Sequence, residues 1–372
     1  MLSSSSVDSL RGLGLLTTAE MLSPRYMMQL PVLSRSLHAA VQALYPQLDP
    51  SNGCIGGRKV CKTWRERLIE METEVRQIAQ LQFETDKQLT RQECKLLCER
   101  VQRLLRQEPN IVPVQGPVTI VGNIHGRFLD LLNLIKICGP APETNYVFLG
   151  NYVNKGYNSC CTMSLLFLLK ARYPKRITLL RGSHESRQLT LIQGFYNECM
   201  RRYHPHGTEV WSCFVDCFDC LPLAAVVDDR VFCVHSGLSP SLEALDQLGE
   251  LNRFGETPHE GPICDLLWSK PEDRAGWGIN PLGSSYSFGA DVTKQFLRQH
   301  QLALLVCSKQ LMTGCHWMHE HHCAIVCSAP DARGRCGNQA AVLDVDEALH
   351  FSFRRFEATP WPSASPADPA LG

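Results

Sequence analysis

"TIVGNIHGRFLDLLNLIKIC" (119–138) and "YVFLGNYVNKGY" (146–157) share one layout: an apolar run, then Gly-Asn, then a tight polar loop. A short all-apolar run closed by glycine reads as a buried strand, and the helix-period segment "RFLDLLNLIKIC" reads as the helix that follows it. The theme returns in "RITLLRGSHES" (176–186), "RVFCVHSGLSP" (230–240), "LALLVCSKQL" (302–311) and "CAIVCSAPDARG" (323–334), with a second helical segment at "CCTMSLLFLLKARY" (160–173). This alternation predicts an α/β core whose loops emerge at the carboxyl ends of strands, where ligand sites of such folds collect.

The polar residues just after those runs are therefore the candidates for chemistry. They include His125, His184 and His235, together with Asn123, Asn151, Asn154, Ser183, Lys155 and Lys309. Histidines in three separate post-strand loops point to a metal or an acid-base site. Any one of them alone could be a satisfied polar residue at a strand end; their joint pattern favours a site.

Longer blocks carry a resemblance. "GNIHGRFLDL", "GNYVNKGYNS", "LRGSHESRQ", "VHSGLSPSLEALD", "PHEGPICDLLWS" and "SAPDARGRCGNQA" resemble the signature blocks of the phosphoprotein phosphatase family of serine/threonine phosphatases. "GFYNECMRRY" and "GWGINPLGSSYSFG" place the chain nearest the type 2A catalytic subunit group, over about Leu68 to Glu357. The resemblance implies an α/β (α+β) fold, a central β-sandwich flanked by helices in a metallophosphoesterase-like four-layer architecture. It also implies two divalent metals (Mn, Fe or Zn) held by Asp, His, Asp, Asn, His and His, and a bridging water that attacks phosphoserine or phosphothreonine.

Carried over position by position, the family's ligand set is largely gone. Asn123 stands at the first Asp, and Asn151 at the Asp that bridges both metals. Ser183 stands at the Asn and Lys309 at the last His, so only His125 and His235 keep their residue type. The general acid is kept as His184, but the Asp that orients it is Asn154. Lys155 and Cys307 fall at phosphate-gripping arginines, and the Arg of the family's "SPRG" segment is Leu282. "DARG" (331–334) replaces the loop that borders the family's active site, and "PSASPADPALG" ends the chain in place of the methylated terminus.

Physical chemistry gives these changes weight. A bridging carboxylate supplies much of the charge that holds two cations a few ångströms apart, and an amide does not. An ammonium ~4 Å from a divalent ion costs on the order of 8 kcal/mol at an effective dielectric of ~20. An Asn cannot stabilise an imidazolium as a carboxylate does, and Lys or Cys in place of Arg loses bidentate phosphate recognition. The expectation is a pseudophosphatase with no bound metal, serving as a binding or regulatory module for phosphatase scaffold or regulatory subunits, or for phosphoserine/phosphothreonine proteins. Lys155, Lys309, Arg333 and His184 would then line a cationic pocket. The alternative is a weak metal-dependent phosphatase using His125 and His235 with amide oxygens.

Other motifs carry less. "HWMHEHHC" (316–323) packs four histidines and a cysteine into eight residues and could bind zinc, but it aligns with a turn between two strands. Cys160 and Cys161 begin an apolar helix and read as core packing, because adjacent cysteines make a strained bridge. Cys307 would be either a thiolate in a cationic pocket or a filler of the space left by Arg.

Composition sets the frame. The chain is 44% apolar and 20% charged, with 37 Lys plus Arg against 37 Asp plus Glu, so no global charge points to nucleic acid or an anionic membrane. No apolar run reaches the ~18 residues of a membrane span. Eighteen cysteines lie scattered through the chain, most of them in apolar runs, and are expected as reduced thiols. Residues 1–65 show no sustained period and read as a largely disordered extension, followed by a catalytic-type domain over 66–357 and a disordered tail over 358–372. Helix is expected from Trp64 to Leu105, with Thr90 and Glu93 as a capping box. The Ser- and Leu-rich start faintly resembles an organelle transit peptide; the reading adopted is a cytoplasmic location, with the nucleus as second choice.

Overall fold

The first helix among the described residues starts on the expected capping box. Thr90 Oγ1 accepts the Glu93 N–H at 3.3 Å and the Glu93 carboxylate accepts the Thr90 N–H at 2.6 Å, which satisfies two otherwise orphaned donors. Helix α1 (Arg91–Gln107) then buries Cys94, Leu97, Cys98, Val101 and Leu105 on one stripe. The computed structural model describes residues 89–156, 158–280, 285–308, 313–330 and 337–359. The expected helical stretch before residue 89, the 1–65 extension, most of the tail, Leu282, Lys309 and Arg333 lie outside the described residues.

After α1 come β1 (Ile111–Val114), β2 (Val118–Val121), α2 (Phe128–Cys138), β3 (Tyr146–Phe148), α3 (Ser159–Arg172) and β4 (Ile177–Leu179). Helices α4 (Arg187–Ile192), α5 (Phe195–Arg202) and α6 (Gly207–Phe218) follow, then β5 (Ala224–Val227) and β6 (Val231–Val234). The second half holds α7 (Leu245–Glu250), α8 (Pro262–Trp268), β7 (Lys270–Pro271), β8 (Trp277–Ile279), β9 (Tyr286–Phe288) and α9 (Ala290–Gln299). It ends with β10 (Leu304–Ser308), β11 (Cys315–Met318), β12 (Cys323–Val326), β13 (Ala340–Val345) and β14 (Phe351–Phe356).

Two large sheets result, ordered β1-β5-β6-β10-β12-β11 and β14-β13-β2-β3-β4. Strand parity makes them a sandwich. Ile120, Val147, Val227, Cys233, Val306, Val326 and Leu343, drawn from both sheets, form one buried cluster between them. The opposite face of the six-stranded sheet, with Phe232, Val234, Leu305 and Ile325, packs against Leu248, Leu266, Leu267 and Leu297 of the flanking helices. Buried on both sides, β3, β6 and β12 read as unbroken apolar runs, and β2 departs from one only at Thr119. The sandwich flanked by helices that the sequence implied is the fold observed.

Two features converge the loops. Strands β2, β3 and β4 run parallel, as do β6, β10 and β12, so the loops after them leave from the strands' carboxyl ends. An isolated parallel bridge between Asn123 and Cys327 then ties the loop after β2 to the loop after β12 in the other sheet. Gly122 permits this approach: a Cβ there would stand 2.3 Å from Val326 O.

Candidate active site

Four residues of the loops after β2 and β3 adopt left-handed backbone: His125 (φ 52°), Asn151 (57°), Asn154 (69°) and Lys155 (63°). Asparagine tolerates this region, whereas His and Lys adopt it at a cost that surrounding bonds must offset. The His125 N–H donates to Asn151 O (2.8 Å), the Asn154 N–H to Ser159 Oγ (3.2 Å), and Asn151 itself is held by Glu185. The Glu185 carboxylate accepts the backbone N–H of Asn151 (2.7 Å), Tyr152 (2.9 Å) and Gly182 (3.0 Å), joining the loops after β3 and β4. Full burial pushes its pKa up to about 7, against the pull of these donors. Arg181 buttresses the same turn by donating from Nε to the Glu185 carbonyl at 3.0 Å.

His125, Asn151, Asn154, Lys155, Ser183, His184 and His235 gather here. His125 is buried and its Nδ1–H points to Val153 O at 3.3 Å, which leaves the Nε2 lone pair facing the site. That lone pair is taken: Lys155 Nζ lies 3.2 Å from it. His235 donates from Nδ1 to Leu149 O at 2.7 Å and turns Nε2 towards Ser183 Oγ, 3.4 Å away. Asn151 Oδ1 accepts the Ser183 hydroxyl at 3.2 Å and the His184 N–H at 2.9 Å. The His125 and His184 rings meet edge to face, 4.8 Å between centroids.

His184 and Asn154 form the most informative pair. Asn154 Oδ1 accepts the Phe195 N–H at 3.1 Å, and a backbone N–H can only donate, so the oxygen's side of the amide is fixed. Its Nδ2 therefore donates to His184 Nδ1 at 2.9 Å. The imidazole is thus held neutral with its proton on Nε2. Burial first, and then the charges of Lys155 and His235, push the His184 pKa down to about 3. Burial pushes His235 down to about 4 and His125 well below the usual range. A neutral imidazole can lend its N–H to an oxyanion, but giving the proton away would leave an imidazolate. His184 is a hydrogen-bond donor here, without the protonated reserve a general acid requires.

The family-type dinuclear centre does not fit these residues. His125 Nε2 is engaged by an ammonium, Asn151 Oδ1 already accepts two bonds, and the Glu185 carboxylate is turned onto backbone N–H groups. Among the described residues, no group of three or more His, Cys, Asp or Glu is arranged to hold a metal. One oxygen stays open: Asn123 Oδ1 is buried and accepts no hydrogen bond, while its backbone N–H donates to Ser308 Oγ at 2.8 Å.

Cys307 corrects the sequence reading. On β10, Leu304 and Val306 face the space between the sheets, whereas Leu305 and Cys307 face the opposite core. Cys307 Sγ packs 3.8 Å from Cys323 Sγ, so it neither grips phosphate nor lines a cationic pocket. The "HWMHEHHC" segment is the β11–β12 hairpin turn. Both ring nitrogens of His319 are used, on Thr293 Oγ1 (2.8 Å) and Glu272 O (3.1 Å). Sequence reasoning did not assign roles to Glu185 or Ser308. The available signal was a Glu directly after the kept His184 and a Ser at the end of an apolar run.

Residues 116–308 match the calcineurin-like phosphoesterase family. Among solved structures, the chain is similar to a protein serine/threonine phosphatase from Saccharomyces cerevisiae with similarity to human phosphatase PP5. The two are 28% identical, the match covers 81% of this chain and 98% of that one, and the TM-score is 0.70. It is also similar to a cold-active protein-tyrosine phosphatase of a psychrophilic Shewanella species, at 13% identity over 68% of this chain and 84% of that one. That TM-score of 0.45 is too slight to argue from.

Proposed function

The chain belongs to the calcineurin-like phosphoesterase family, and from that premise we propose that it is a pseudophosphatase, a binding or regulatory module on a serine/threonine phosphatase fold. The contact between Lys155 Nζ and His125 Nε2 carries this reading. A tethered ammonium takes the lone pair that a metal would need, and no carboxylate in the described loops is free to offset a divalent charge. The loops then offer donors where the family offers cations. Lys155 and the Nε2–H of His184 would meet a phosphoserine or phosphothreonine oxyanion without a nucleophile or an acid to cleave it.

Partners follow as part of the same proposal. The outer blocks "PHEGPICDLLWS" and "SRQLTLIQGFYNECMRRY" resemble the type 2A pattern, and α4 exposes Leu191 and Ile192, the latter 73% accessible. An apolar face of this kind suits a phosphatase scaffold or regulatory subunit.

A weak metal-dependent phosphatase is the second reading, favoured by the open amide oxygen of Asn123. Metal analysis of the purified chain separates the two. The expected result is far less than one manganese, iron or zinc per chain, with no turnover of a phosphoserine peptide. Near-stoichiometric metal, with turnover abolished by His125→Ala, would overturn the pseudophosphatase reading.

A further inference from the structure

The helical layer beside the site carries a close pair of buried thiols. Cys160, in the first turn of α3, and Cys199, in α5, approach to 3.6 Å between Sγ atoms, and both side chains are buried. Both are free thiols. The sequence weighed Cys160 against its neighbour Cys161, whereas the fold sets it against Cys199. We propose that Cys160 and Cys199 are a redox modification site, joined to a disulfide by hydrogen peroxide, which clamps α3 to α5 behind the loop that holds Asn154 and Lys155.

The placement is built into the backbone. Glu198, next to Cys199, accepts the N–H groups of Ser159 (2.8 Å) and Cys160 (2.9 Å) with its carboxylate, and pairs with Arg202 at 3.0 Å. Each thiol therefore sits at or beside a residue of a charge-assisted bridge, which holds the two backbones close together. A disulfide bond is about 2.04 Å long, so the sulfurs must close by roughly 1.5 Å. Rotation about the side-chain torsions of the two cysteines can close that distance while the backbone bridge holds.

A second thiol contact provides an internal comparison. Cys307 and Cys323 are 3.8 Å apart, but they sit on hydrogen-bonded parallel strands whose register pairs Cys307 with Ile325 and Leu305 with Cys323. The ladder fixes that stagger, and central strands do not fray. Peroxide should discriminate between the two pairs.

The chemistry balances without another reactant. One thiolate attacks a peroxide oxygen; an S–O bond forms, the O–O bond breaks, and the departing hydroxide takes a proton to become water. The second thiol displaces the sulfenic oxygen as water while the S–S bond forms. Two thiols lose two electrons and two protons, and one peroxide becomes two waters. Burial holds the Cys160 thiol well above its ordinary pKa, with Arg202 pulling weakly the other way, so the reaction is slow. Its consequence reaches the site, because Asn154 donates its N–H to Ser159 Oγ (3.2 Å) and accepts the Phe195 N–H on Oδ1. The disulfide would close a ring through the starts of both helices around Asn154.

The test uses the reduced full-length protein, treated with hydrogen peroxide, unfolded in N-ethylmaleimide and digested without reductant. Mass spectrometry is expected to find the Cys160–Cys199 linked peptide as the main internal disulfide, with Cys307 and Cys323 alkylated. Dithiothreitol should remove the link. The oxidised protein should melt higher by roughly 5 °C, since the link closes a long loop, and Cys160→Ser and Cys199→Ser should abolish that shift. Cys160 and Cys199 recovered alkylated, or over-oxidised without a link, would overturn the proposal. So would a dominant link at any other pair, Cys307–Cys323 or Cys98–Cys217 included. The peptide map of the unsubstituted protein decides the matter even if a variant fails to fold.

Discussion

The side-chain amide of Asn154 donates to Nδ1 of His184 at 2.9 Å, which reverses the polarity that a carboxylate at residue 154 would impose. With a carboxylate, the imidazole would donate from Nδ1 and be stabilised as its cation. With the amide, protonation at Nδ1 breaks the bond. Asn154→Asp keeps the acceptor for the Phe195 N–H and restores an acceptor for His184. The His184 titration midpoint should therefore rise from about 3 by roughly two pH units. Nitrogen-15 imidazole spectra should show the neutral Nε2–H tautomer before the change and an imidazolium at pH 4 after it. An unchanged midpoint would mean that Asn154 does not set the state of His184.

Lys155→Met removes the ammonium and keeps the length of the side chain. His125 Nε2 then has a free lone pair, two residues along the chain from Asn123 with its open oxygen. By Coulomb's law the deleted charge opposed a divalent ion by several kcal/mol, and each ~1.4 kcal/mol is tenfold in affinity. Cobalt(II) binding, followed by calorimetry, should tighten on the order of 100-fold. Affinity for a phosphoserine peptide should fall in the same variant. Equal cobalt affinity in both proteins would show that Lys155 is not what excludes the metal.

Acid should destabilise the fold through its buried neutral histidines. The His235 pKa falls from 6.5 unfolded to about 4 folded, so between those values the unfolded chain binds a proton that the folded chain refuses. Stability from this group is complete above pH 6.5 and is lost as pH falls towards 4, by about 3 kcal/mol. Glu185 acts with the opposite sign: its raised pKa removes stability as pH rises from 4.5 to about 7. The test is therefore a difference between proteins. His235→Asn, which retains a donor for Leu149 O, should lose less stability between pH 7 and pH 4 in urea unfolding than the unsubstituted chain. Parallel profiles would contradict a buried neutral His235.

Much of the fold was legible because buried strands of a two-faced sandwich read as apolar runs, and because a helix start such as Thr90–Glu93 is a local device. The vicinity of the site was legible for the same reason: ligand loops follow such strands. Its chemistry was less so. Asn123, Asn151 and Asn154 announced missing charge, but the contact between Lys155 and His125 needs a left-handed lysine reaching across to the neighbouring loop after β2, which no residue pattern encodes. Nor does sequence reveal which end of the Asn154 amide faces His184, since the Phe195 N–H decides it from 41 residues away. Cys307 failed on strand parity: a motif position matched, but its side chain belongs to the other face of β10.

Glu185 offers the sharpest test of what holds the site loops. It follows His184 in sequence and points away from the site, its two oxygens receiving the N–H groups of Asn151, Tyr152 and Gly182. Glu185→Gln preserves the shape but supplies one acceptor oxygen and one NH2. With the oxygen placed on Asn151 and Gly182, the NH2 confronts the Tyr152 N–H, and one buried donor is left unsatisfied. The loss should be about 2 kcal/mol of unfolding free energy, with faster amide exchange at Tyr152 than in the strands on either side. Left-handed Asn151 depends on that tether and Lys155 follows it in the same loop, so the Lys155 contact with His125 should loosen with it and cobalt affinity should rise even though Lys155 is untouched. A destabilised variant with unchanged cobalt affinity would separate the tether from the exclusion of metal.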